Sequence, residues 1–314
     1  MAEMVKKATR ESFGETVTAL AAEYPEIVVL DADLAAATKT GIFKKAYPER
    51  FFDCGIAECN MVGVAAGLAT CGKIPFAASF AMFSAGRAFE QVRNSVGYPK
   101  LNVKIVGSNA GIYVGEDGAT HQCCEDIALM RTIPGMVILN PCDHYEMQAA
   151  VRAAVEHKGP CYIRLGRLAV ESINNNDDYK FELGKGITLR EGTDITVVAT
   201  GLMVQEAVKA ADALKEEGIS VEVINIHTIK PLDEELVIAS AKKTGRVITV
   251  EEHNIIGGLG EAVSTALSEH CPTPVTRIGV NDVYGHSGPA VDLLKEFGLS
   301  AEHIAEVIRE KLAK

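Results

Sequence analysis

Ile27-Val-Val-Leu30 decides the fold class, because this apolar run stops at Asp31-Ala-Asp33 and so predicts a strand buried on both faces. Apolar residues recur at helical spacing through residues 8–23, which predicts a helix directly before the strand. The same alternation continues along the first half of the chain. Further strands are expected at 75–79, 103–106, 136–139 and 161–165, and further helices at 58–70, 82–96 and 143–157. Strands that alternate with helices predict a parallel sheet with helices on both faces.

The second half of the chain repeats this pattern. Strands are expected at 195–199, 221–224, 246–250 and 275–278, and helices at 204–217, 233–243, 260–270, 290–297 and 301–312. Between the halves, residues 171–190 begin with the polar, acidic run Glu-Ser-Ile-Asn-Asn-Asn-Asp-Asp-Tyr, which is typical of a linker. A chain of 314 residues is long enough for about two domains. We therefore predict an α/β protein with two doubly wound domains, residues 1–170 and the smaller 191–314, joined by a linker at 171–190.

The composition limits the classes of function. Hydrophobic residues make up 47% of the chain, which excludes disorder, and the net charge of −11 makes nucleic acid and anionic membranes poor partners. No apolar run is long enough for a membrane-spanning helix, and the N-terminal residues lack the apolar segment of a signal peptide, so we expect a cytoplasmic protein. None of the eight cysteines forms a C-x-x-C pair, so we expect free thiols and no metal site.

Gly115-Glu-Asp-Gly-Ala-Thr-His-Gln122 is the most informative stretch for function. It places two acids, two glycines, a hydroxyl and an imidazole in the loop that follows the strand at 103–106. Ligands of parallel α/β sheets bind outside the carboxyl ends of the strands, which is where this loop is expected. The alternative is a solvated turn in which the two acids cap a helix.

Cys54-Gly-Ile-Ala-Glu-Cys-Asn60 is a second candidate, because Glu58 is a lone acid that enters a helix made mostly of small and apolar residues. Glu58 could favour the positive end of the helix, or it could be a buried carboxyl group that shares a proton with a ligand. Gly257-Gly-Leu-Gly260 precedes another helix. It could cradle a phosphate, but a helix-opening turn that needs a positive φ is the better-supported interpretation.

Five motifs, taken together and in order, resemble those of transketolases. Three resemble the pyrimidine-binding domain of the family, namely Gly55-Ile-Ala-Glu58-Cys-Asn60, Ser79-Phe80-Ala-Met-Phe83 and Gly115-Glu-Asp-Gly-Ala-Thr-His-Gln122. Two resemble its C-terminal domain, namely Thr228-Ile-Lys-Pro-Leu232 and Glu251-Glu-His-Asn-Ile-Ile-Gly-Gly-Leu-Gly260. Asp31-Ala-Asp33-Leu is also similar to the first βα turn of the family, so the resemblance covers essentially the whole chain.

The resemblance implies a thiamine diphosphate-dependent enzyme of the pentose phosphate pathway, which moves a two-carbon ketol unit from a ketose phosphate to an aldose phosphate. Transketolases also have a domain that binds the diphosphate and Mg²⁺, marked by Gly-Asp-Gly and a later Asn. This sequence contains no Gly-Asp-Gly. The resemblance therefore implies the C-terminal subunit of a split transketolase. It also implies an N-terminal partner subunit that holds the diphosphate and Mg²⁺, in an α2β2 assembly.

On the cofactor side, the resemblance implies that Glu58 is catalytic and hydrogen-bonds N1′ of the aminopyrimidine. A carboxyl group that stays protonated in an apolar site suits this role. Phe83 matches the residue that stacks on the pyrimidine ring, and Phe80 lines the same pocket. Gly86 stands where the family has a third aromatic residue.

On the substrate side, His121 and Asp117 match residues that contact substrate hydroxyls, and the imidazole of His121 is suited to proton transfer. Arg167 matches an arginine that binds the sugar phosphate, with Arg164 as a second candidate. Asn109 stands where the family has a second histidine, a change that affects how the hydroxyls at the carbonyl end of the sugar are held.

Other functions share parts of this pattern. The alternatives are a 1-deoxy-xylulose-5-phosphate synthase-like enzyme, the beta subunit of a 2-oxo acid dehydrogenase, which the loop at 115–122 fits less well, and a non-catalytic scaffold subunit. The intact set of Glu58, Phe83, His121 and Arg167 argues against a scaffold. Specialised transketolases for phosphorylated or sulfonated sugars would share these motifs, so the donor and acceptor sugars stay open.

Overall fold

A computed structural model describes residues 5–174 and 179–313. The strands of the described residues are β1 Lys6–Ala8, β2 Ile27–Asp31, β3 Phe51–Asp53, β4 Ile74–Phe80, β5 Lys104–Ser108, β6 Val137–Leu139, β7 Cys161–Arg164, β8 Ala169–Glu171, β9 Ile187–Arg190, β10 Ile195–Ala199, β11 Val221–Asn225, β12 Thr228–Lys230, β13 Val247–Asn254 and β14 Val275–Val280. The α-helices are α1 Thr9–Glu23, α2 Ala35–Thr38, α3 Gly41–Ala46, α4 Glu58–Thr70, α5 Phe89–Gln91, α6 Asp126–Arg131, α7 His144–Glu156, α8 Met203–Lys215, α9 Glu234–Thr244, α10 Leu259–His270, α11 Ala290–Glu296 and α12 Ala301–Leu312.

Two parallel sheets carry the fold, and the predicted α/β class is confirmed. The larger sheet has the order β12-β6-β7-β5-β4-β2-β3, and the smaller has the order β14-β13-β10-β11-β9. Each sheet has one antiparallel strand at its edge, β12 on β6 in the first and β9 on β11 in the second. A separate antiparallel pair, β1 with β8, ties the start of the chain to the end of its first half.

The second half of the chain contributes one strand to the sheet of the first half. β12 belongs to the second half by sequence, but it pairs with β6 and completes the sheet of the first half. Within the predicted linker at 171–190, β9 is the outer strand of the second sheet, and residues 175–178 lie outside the described residues. The boundaries of the predicted domains stay a prediction, because the pairing of β12 makes the two halves share a sheet.

A continuous apolar core joins the two halves. Met130 and Ile138 from the first half lie in the same buried cluster as Ile226, Ile229 and Leu259 from the second half. Burial of each such side chain stabilises the folded chain by about 1.5–3 kcal/mol. The two halves are therefore held together by packing as well as by the pairing of β12 with β6.

Several helix boundaries follow from capping residues. The carboxylate of Asp143 accepts the backbone N–H of Glu146 at 2.9 Å, which caps the start of α7. Asp233 caps α9 in the same way, and Gly245 ends that helix with a left-handed φ of 70°.

The segment 82–96, predicted to be one regular helix, contains two wider helical turns. Two π-helical turns, Met82–Arg87 and Val92–Gly97, flank the short helix α5. In the first turn, the backbone N–H of Ala88 donates to the carbonyl of Phe83 at 3.1 Å, which lies five residues earlier in the chain instead of the four of an α-helix. Hydrophobic spacing does not distinguish such a widened turn from a regular helix.

Two other properties concern the whole described chain. All eight cysteines are free thiols, as predicted from their spacing. No helix within residues 5–174 and 179–313 is long and apolar enough to cross a membrane.

Candidate active site

The candidate residues gather at the carboxyl ends of neighbouring parallel strands. Phe80 is the last residue of β4, and Asn109 directly follows β5. β4 and β5 are adjacent and parallel, so the loops that follow them leave the sheet at the same edge. This edge is where parallel α/β sheets bind ligands.

Phe80, Phe83 and His121 form an aromatic cluster at this edge. The rings of Phe80 and Phe83 are stacked, with centroids 6.1 Å apart and an interplanar angle of 22°. The imidazole of His121 meets both rings edge-on, with centroid distances of 5.9 Å to Phe80 and 5.4 Å to Phe83. Its Nδ1 atom lies 2.9 Å from the hydroxyl of Thr120. The structure thus brings the histidine of the 115–122 loop into contact with both predicted aromatic residues.

Glu58 is the first residue of α4, and only 2% of it is exposed. The guanidinium of Arg87 donates to Oε2 of Glu58 at 2.9 Å. Cζ of Arg87 also lies 4.8 Å from the ring centroid of Phe83, which is a cation–π contact. Glu58 therefore has a cationic partner, so its surroundings are less apolar than the resemblance implied.

The sequence analysis missed Arg87. The residue belongs to the π-helical turn Met82–Arg87, and its contact with α4 depends on that turn. The available signal was an arginine close in sequence to Phe83, which by itself does not indicate a contact with Glu58.

Arg167 lies against the loop that carries the two acids. Its guanidinium donates to the carbonyl of Val114 and is 3.0 Å from Oε2 of Glu116 and 3.9 Å from Oδ1 of Asp117. Burial and, to a lesser extent, the neighbouring charge of Arg167 lower the pKa of Arg10. Arg10, which the sequence analysis also missed, is thus close to Arg167. Arg167 and the two acids therefore lie at the same end of the site.

Residues of the second half of the chain form hydrogen bonds with the segment 112–122, which contains the candidate loop. The buried carboxylate of Glu252 accepts the backbone N–H groups of Ile112 and Tyr113. Burial raises the pKa of Glu252 to about 7, while the positive charge of Arg164 acts in the opposite direction. The side-chain amide of Gln122 donates to three carbonyls, those of residues 112, 115 and 286. The loop is therefore anchored to both halves of the chain.

Arg164 lies in a buried network instead of beside Arg167. Its Nε atom is 2.8 Å from the carboxylate of Asp126, and its Nη2 atom donates to the carbonyls of Cys123 and Glu252. Only 5% of its side chain is exposed, so we do not retain Arg164 as a contact of the substrate.

Asn109 is buried, with a positive φ of 53°, and its side-chain oxygen lies 3.0 Å from the hydroxyl of Ser108. Asn109 lies at the edge of the sheet where the parallel strands end, which is the edge that carries the other candidate residues.

Two family models cover most of the chain. Residues 5–172 match the transketolase pyrimidine-binding domain, and residues 184–304 match the transketolase C-terminal domain. The chain belongs to the transketolase family. The resemblance noted from the five motifs is therefore confirmed.

Relatives of similar length are known. A putative transketolase C-terminal section of Methanocaldococcus jannaschii is 52% identical, over 99% of this chain and 98% of its own length. A 6-deoxy-6-sulfo-D-fructose transketolase subunit of a Clostridium species is 46% identical, over 96% of this chain and 93% of its own length. A solved structure described as a split gene transketolase, inactive beta4 tetramer, has a TM-score of 0.91 and 51% identity, over 98% of this chain and 99% of its own.

Membership of the transketolase family implies dependence on thiamine diphosphate, and the site can be tested for its fit to the aminopyrimidine end. That ring needs an acidic group beside an aromatic face. Glu58 and Phe83 supply both, and the planar, cationic guanidinium of Arg87 already contacts the two together. The site therefore fits a flat ring that stacks on Phe83 and shares a hydrogen bond with the carboxyl group of Glu58.

No group of three His, Cys, Asp or Glu side chains in the described ranges, 5–174 and 179–313, is arranged to hold a metal ion.

The start of α10 resolves the two interpretations of Gly257-Gly-Leu-Gly260 in favour of a turn. Gly257 has a φ of 80°, which glycine adopts without strain. The carboxylate of Glu251 accepts the backbone N–H groups of Leu259 and Gly260 at 2.7 and 2.8 Å. The anion at this helix start is thus a side chain of the protein itself, and the phosphate cradle is not supported.

Proposed function

We propose that this chain is the C-terminal subunit of a split transketolase, which transfers a two-carbon ketol unit from a ketose phosphate to an aldose phosphate. The observation that carries the proposal is the joining of a buried acid, an aromatic face and an imidazole in one site, through Glu58, Phe83 and His121. The names of the archaeal relative and of the split gene structure support the assignment to a C-terminal subunit.

The cofactor side of the site is assigned to three residues. Glu58 hydrogen-bonds N1′ of the aminopyrimidine, and its burial keeps water from competing for that bond. Phe83 stacks on the ring, and Phe80 holds Phe83 in place through ring contact. When bound, thiamine diphosphate supplies the carbon nucleophile and the electron sink that cleavage of a C–C bond needs.

The contacts with the substrate are assigned to the 115–122 loop and to two arginines. His121 moves a proton to or from a substrate hydroxyl, because an imidazole ring can both donate and accept a proton and this one lies beside the proposed ring position. Asp117 accepts a hydrogen bond from another hydroxyl. Arg167 binds the anionic end of the sugar with its guanidinium, and the nearby Arg10 adds a second positive charge. In this arrangement the anion replaces Glu116 as the partner of Arg167.

The remaining half of the cofactor is assigned to a partner subunit. We propose that an N-terminal transketolase subunit holds the diphosphate and Mg²⁺, and that the active site forms where the two chains meet, in an α2β2 assembly. The names of the relatives support a divided protein. Placement in the cytoplasm and in the pentose phosphate pathway stays a prediction.

A sulfonated sugar is a second candidate for the substrate. The Clostridium relative is named for 6-deoxy-6-sulfo-D-fructose and is 46% identical to this chain over 301 aligned residues. A guanidinium fork binds the oxygens of a sulfonate as it binds those of a phosphate, so Arg167 is compatible with either anion.

Reconstitution with the partner tests the proposal. The chain is coexpressed with the subunit from the same genome that carries Gly-Asp-Gly, and the pair is loaded with thiamine diphosphate and Mg²⁺. The expected result is two-carbon transfer from xylulose 5-phosphate or from 6-deoxy-6-sulfofructose to an aldose phosphate, and its loss in Glu58→Gln.

Three outcomes would instead support the alternatives. Oxidative decarboxylation of pyruvate with ferricyanide would indicate a 2-oxo acid dehydrogenase. Condensation of pyruvate with glyceraldehyde 3-phosphate would indicate a 1-deoxy-xylulose-5-phosphate synthase-like enzyme. Full activity in Glu58→Gln would indicate a scaffold subunit.

A further inference from the structure

Arg87 makes two contacts that are unusual for a side chain with so much exposed surface. Half of the side chain is exposed, at 51%, while the carboxylate that it binds belongs to a residue that is 2% exposed. One end of the guanidinium donates to Glu58 at 2.9 Å, and its centre lies 4.8 Å from the ring of Phe83. The arginine thus reaches from the surface into the candidate cofactor site.

These two contacts are the same as those proposed for the aminopyrimidine ring. A guanidinium is planar and cationic, stacks on aromatic rings and donates N–H bonds to carboxylates. An aminopyrimidine that stacks on Phe83 and bonds to Glu58 needs the same face and the same acid. Because Glu58 is almost fully buried, there is little room for both groups at its carboxylate.

We propose that Arg87 is a placeholder for the pyrimidine ring and that ring binding displaces its guanidinium toward solvent. The inference rests on the proposed function, because that function assigns the ring to Glu58 and Phe83. The high exposure of Arg87 makes the movement feasible, since the released charge is hydrated and needs no new protein partner. The placeholder keeps a buried carboxylate paired until the ring arrives, and it makes ring binding weaker by the contact that must be broken.

The test uses thiamine, which carries the aminopyrimidine without the diphosphate, so that binding to the single chain needs no partner subunit. Nuclear magnetic resonance measures the dissociation constant from the shifts of ring protons assigned to Phe80, Phe83 and His121. Removal of the competing charged hydrogen bond in Arg87→Gln is expected to tighten binding about tenfold. Arg87→Lys keeps a charge but lacks the planar fork, so an intermediate affinity is expected.

Arg93→Gln is the matched control. Arg93 is an exposed arginine on the following π-helical turn and bonds to its neighbour Asn94, so the same change of charge is made away from Glu58. Its affinity for thiamine is expected to equal that of the unmodified chain. If Arg87→Gln does not give a folded spectrum, Arg87→Lys alone decides the question.

Equal or weaker binding of thiamine by both Arg87 variants, or no binding by any variant up to the solubility limit, overturns the proposal. This failure is distinguishable from failure of the proposed function. The placeholder is judged by thiamine affinity in the single chain, whereas the function is judged by two-carbon transfer in the reconstituted pair.

Discussion

The carboxylate of Glu252, in the second half of the chain, accepts the backbone N–H of Tyr113, in the loop that leads to Asp117. The adjacent amide of Ile112 bonds to the same carboxylate. A residue outside the pyrimidine-binding half thereby fixes the backbone from which the proposed substrate contacts project. This relationship gives the second half a direct part in the geometry of the site.

Glu252→Ala is expected to loosen the 112–117 segment. It leaves two backbone N–H groups without their acceptor, and each such loss costs about 1–3 kcal/mol where the group is buried. Hydrogen exchange at Ile112 and Tyr113 should become faster and the melting temperature should fall. Glu269→Ala, at an exposed position of α10, should change neither. Unchanged exchange at both amides would contradict the anchoring role of Glu252.

Glu58→Gln is expected to lower two-carbon transfer by the reconstituted pair about 10²–10⁴-fold, because an amide cannot exchange a proton as a carboxyl group does. The circular dichroism spectrum of the chain should stay the same, since the volume of the side chain is kept. Glu49→Gln, at an exposed position, serves as the control and should keep full activity. Retention of more than a few per cent of the activity in Glu58→Gln would remove Glu58 from the catalytic group.

Phe83→Leu is expected to weaken binding of thiamine diphosphate to the reconstituted pair about two- to tenfold, because an aromatic face adds about 0.5–1.5 kcal/mol beyond its burial. Leucine keeps most of the apolar volume, so the comparison isolates the ring. Equilibrium dialysis or calorimetry measures the dissociation constant. An affinity equal to that of the unmodified pair would show that Phe83 acts only by packing.

The single chain is expected to bind thiamine diphosphate far more weakly than the reconstituted pair does. The proposed arrangement gives this chain the pyrimidine contacts and gives the diphosphate and Mg²⁺ to the partner. Titration calorimetry with and without Mg²⁺ makes the comparison. Tight binding by the single chain that depends on Mg²⁺ would refute the divided site.

Stability is expected to fall as the pH rises from about 4.5 to about 7, partly because of Glu146. Burial, together with the charge of Asp143, raises the pKa of Glu146 to about 7, although the backbone N–H of Cys142 bonds to its carboxylate. The folded pKa exceeds the unfolded one, so between these pH values the folded state binds more protons. The linked loss of stability is on the order of 1–3 kcal/mol and levels off above pH 7.

Glu146→Gln removes this titration. Chemical denaturation at several pH values should show a flatter dependence of the unfolding free energy on pH in the variant than in the unmodified chain. The slope is the informative quantity, because the new amide also changes the bonds to Tyr179 and Asn225 and hence the absolute stability. An unaltered slope would show that Glu146 does not titrate in this range.

Most strands of the two sheets were predictable from the sequence, because they are apolar runs with clear ends. The run at 27–30 became β2, which is buried along its whole length. β12 was not predictable, since it has three residues and its partner β6 lies far away in the sequence. Short edge strands are stabilised by tertiary pairing, which a local hydrophobic pattern does not record.

In the candidate site, the residues that lie within the family motifs were predictable, and the residues outside those motifs were not. The motifs indicated Phe83 and His121 as site residues, and the structure brings the two rings into contact. Arg87 and Arg10 were missed, because their contacts depend on a widened helical turn and on packing between distant segments. Arg164 shows the reverse case, where a plausible arginine in the sequence serves a buried structural network.

The pairing of β12 with β6 limits how this protein can be divided. A truncation that ends near residue 170 would leave β6 as the bare outer strand of the larger sheet, with its hydrogen-bonding groups open to any other chain. Such a fragment is prone to self-association, and a low yield from it would reflect this uncovered edge. The pyrimidine-binding half therefore lacks one strand of its sheet when it is separated at this point. Fusion proteins and domain swaps within this family should include β12 together with that half.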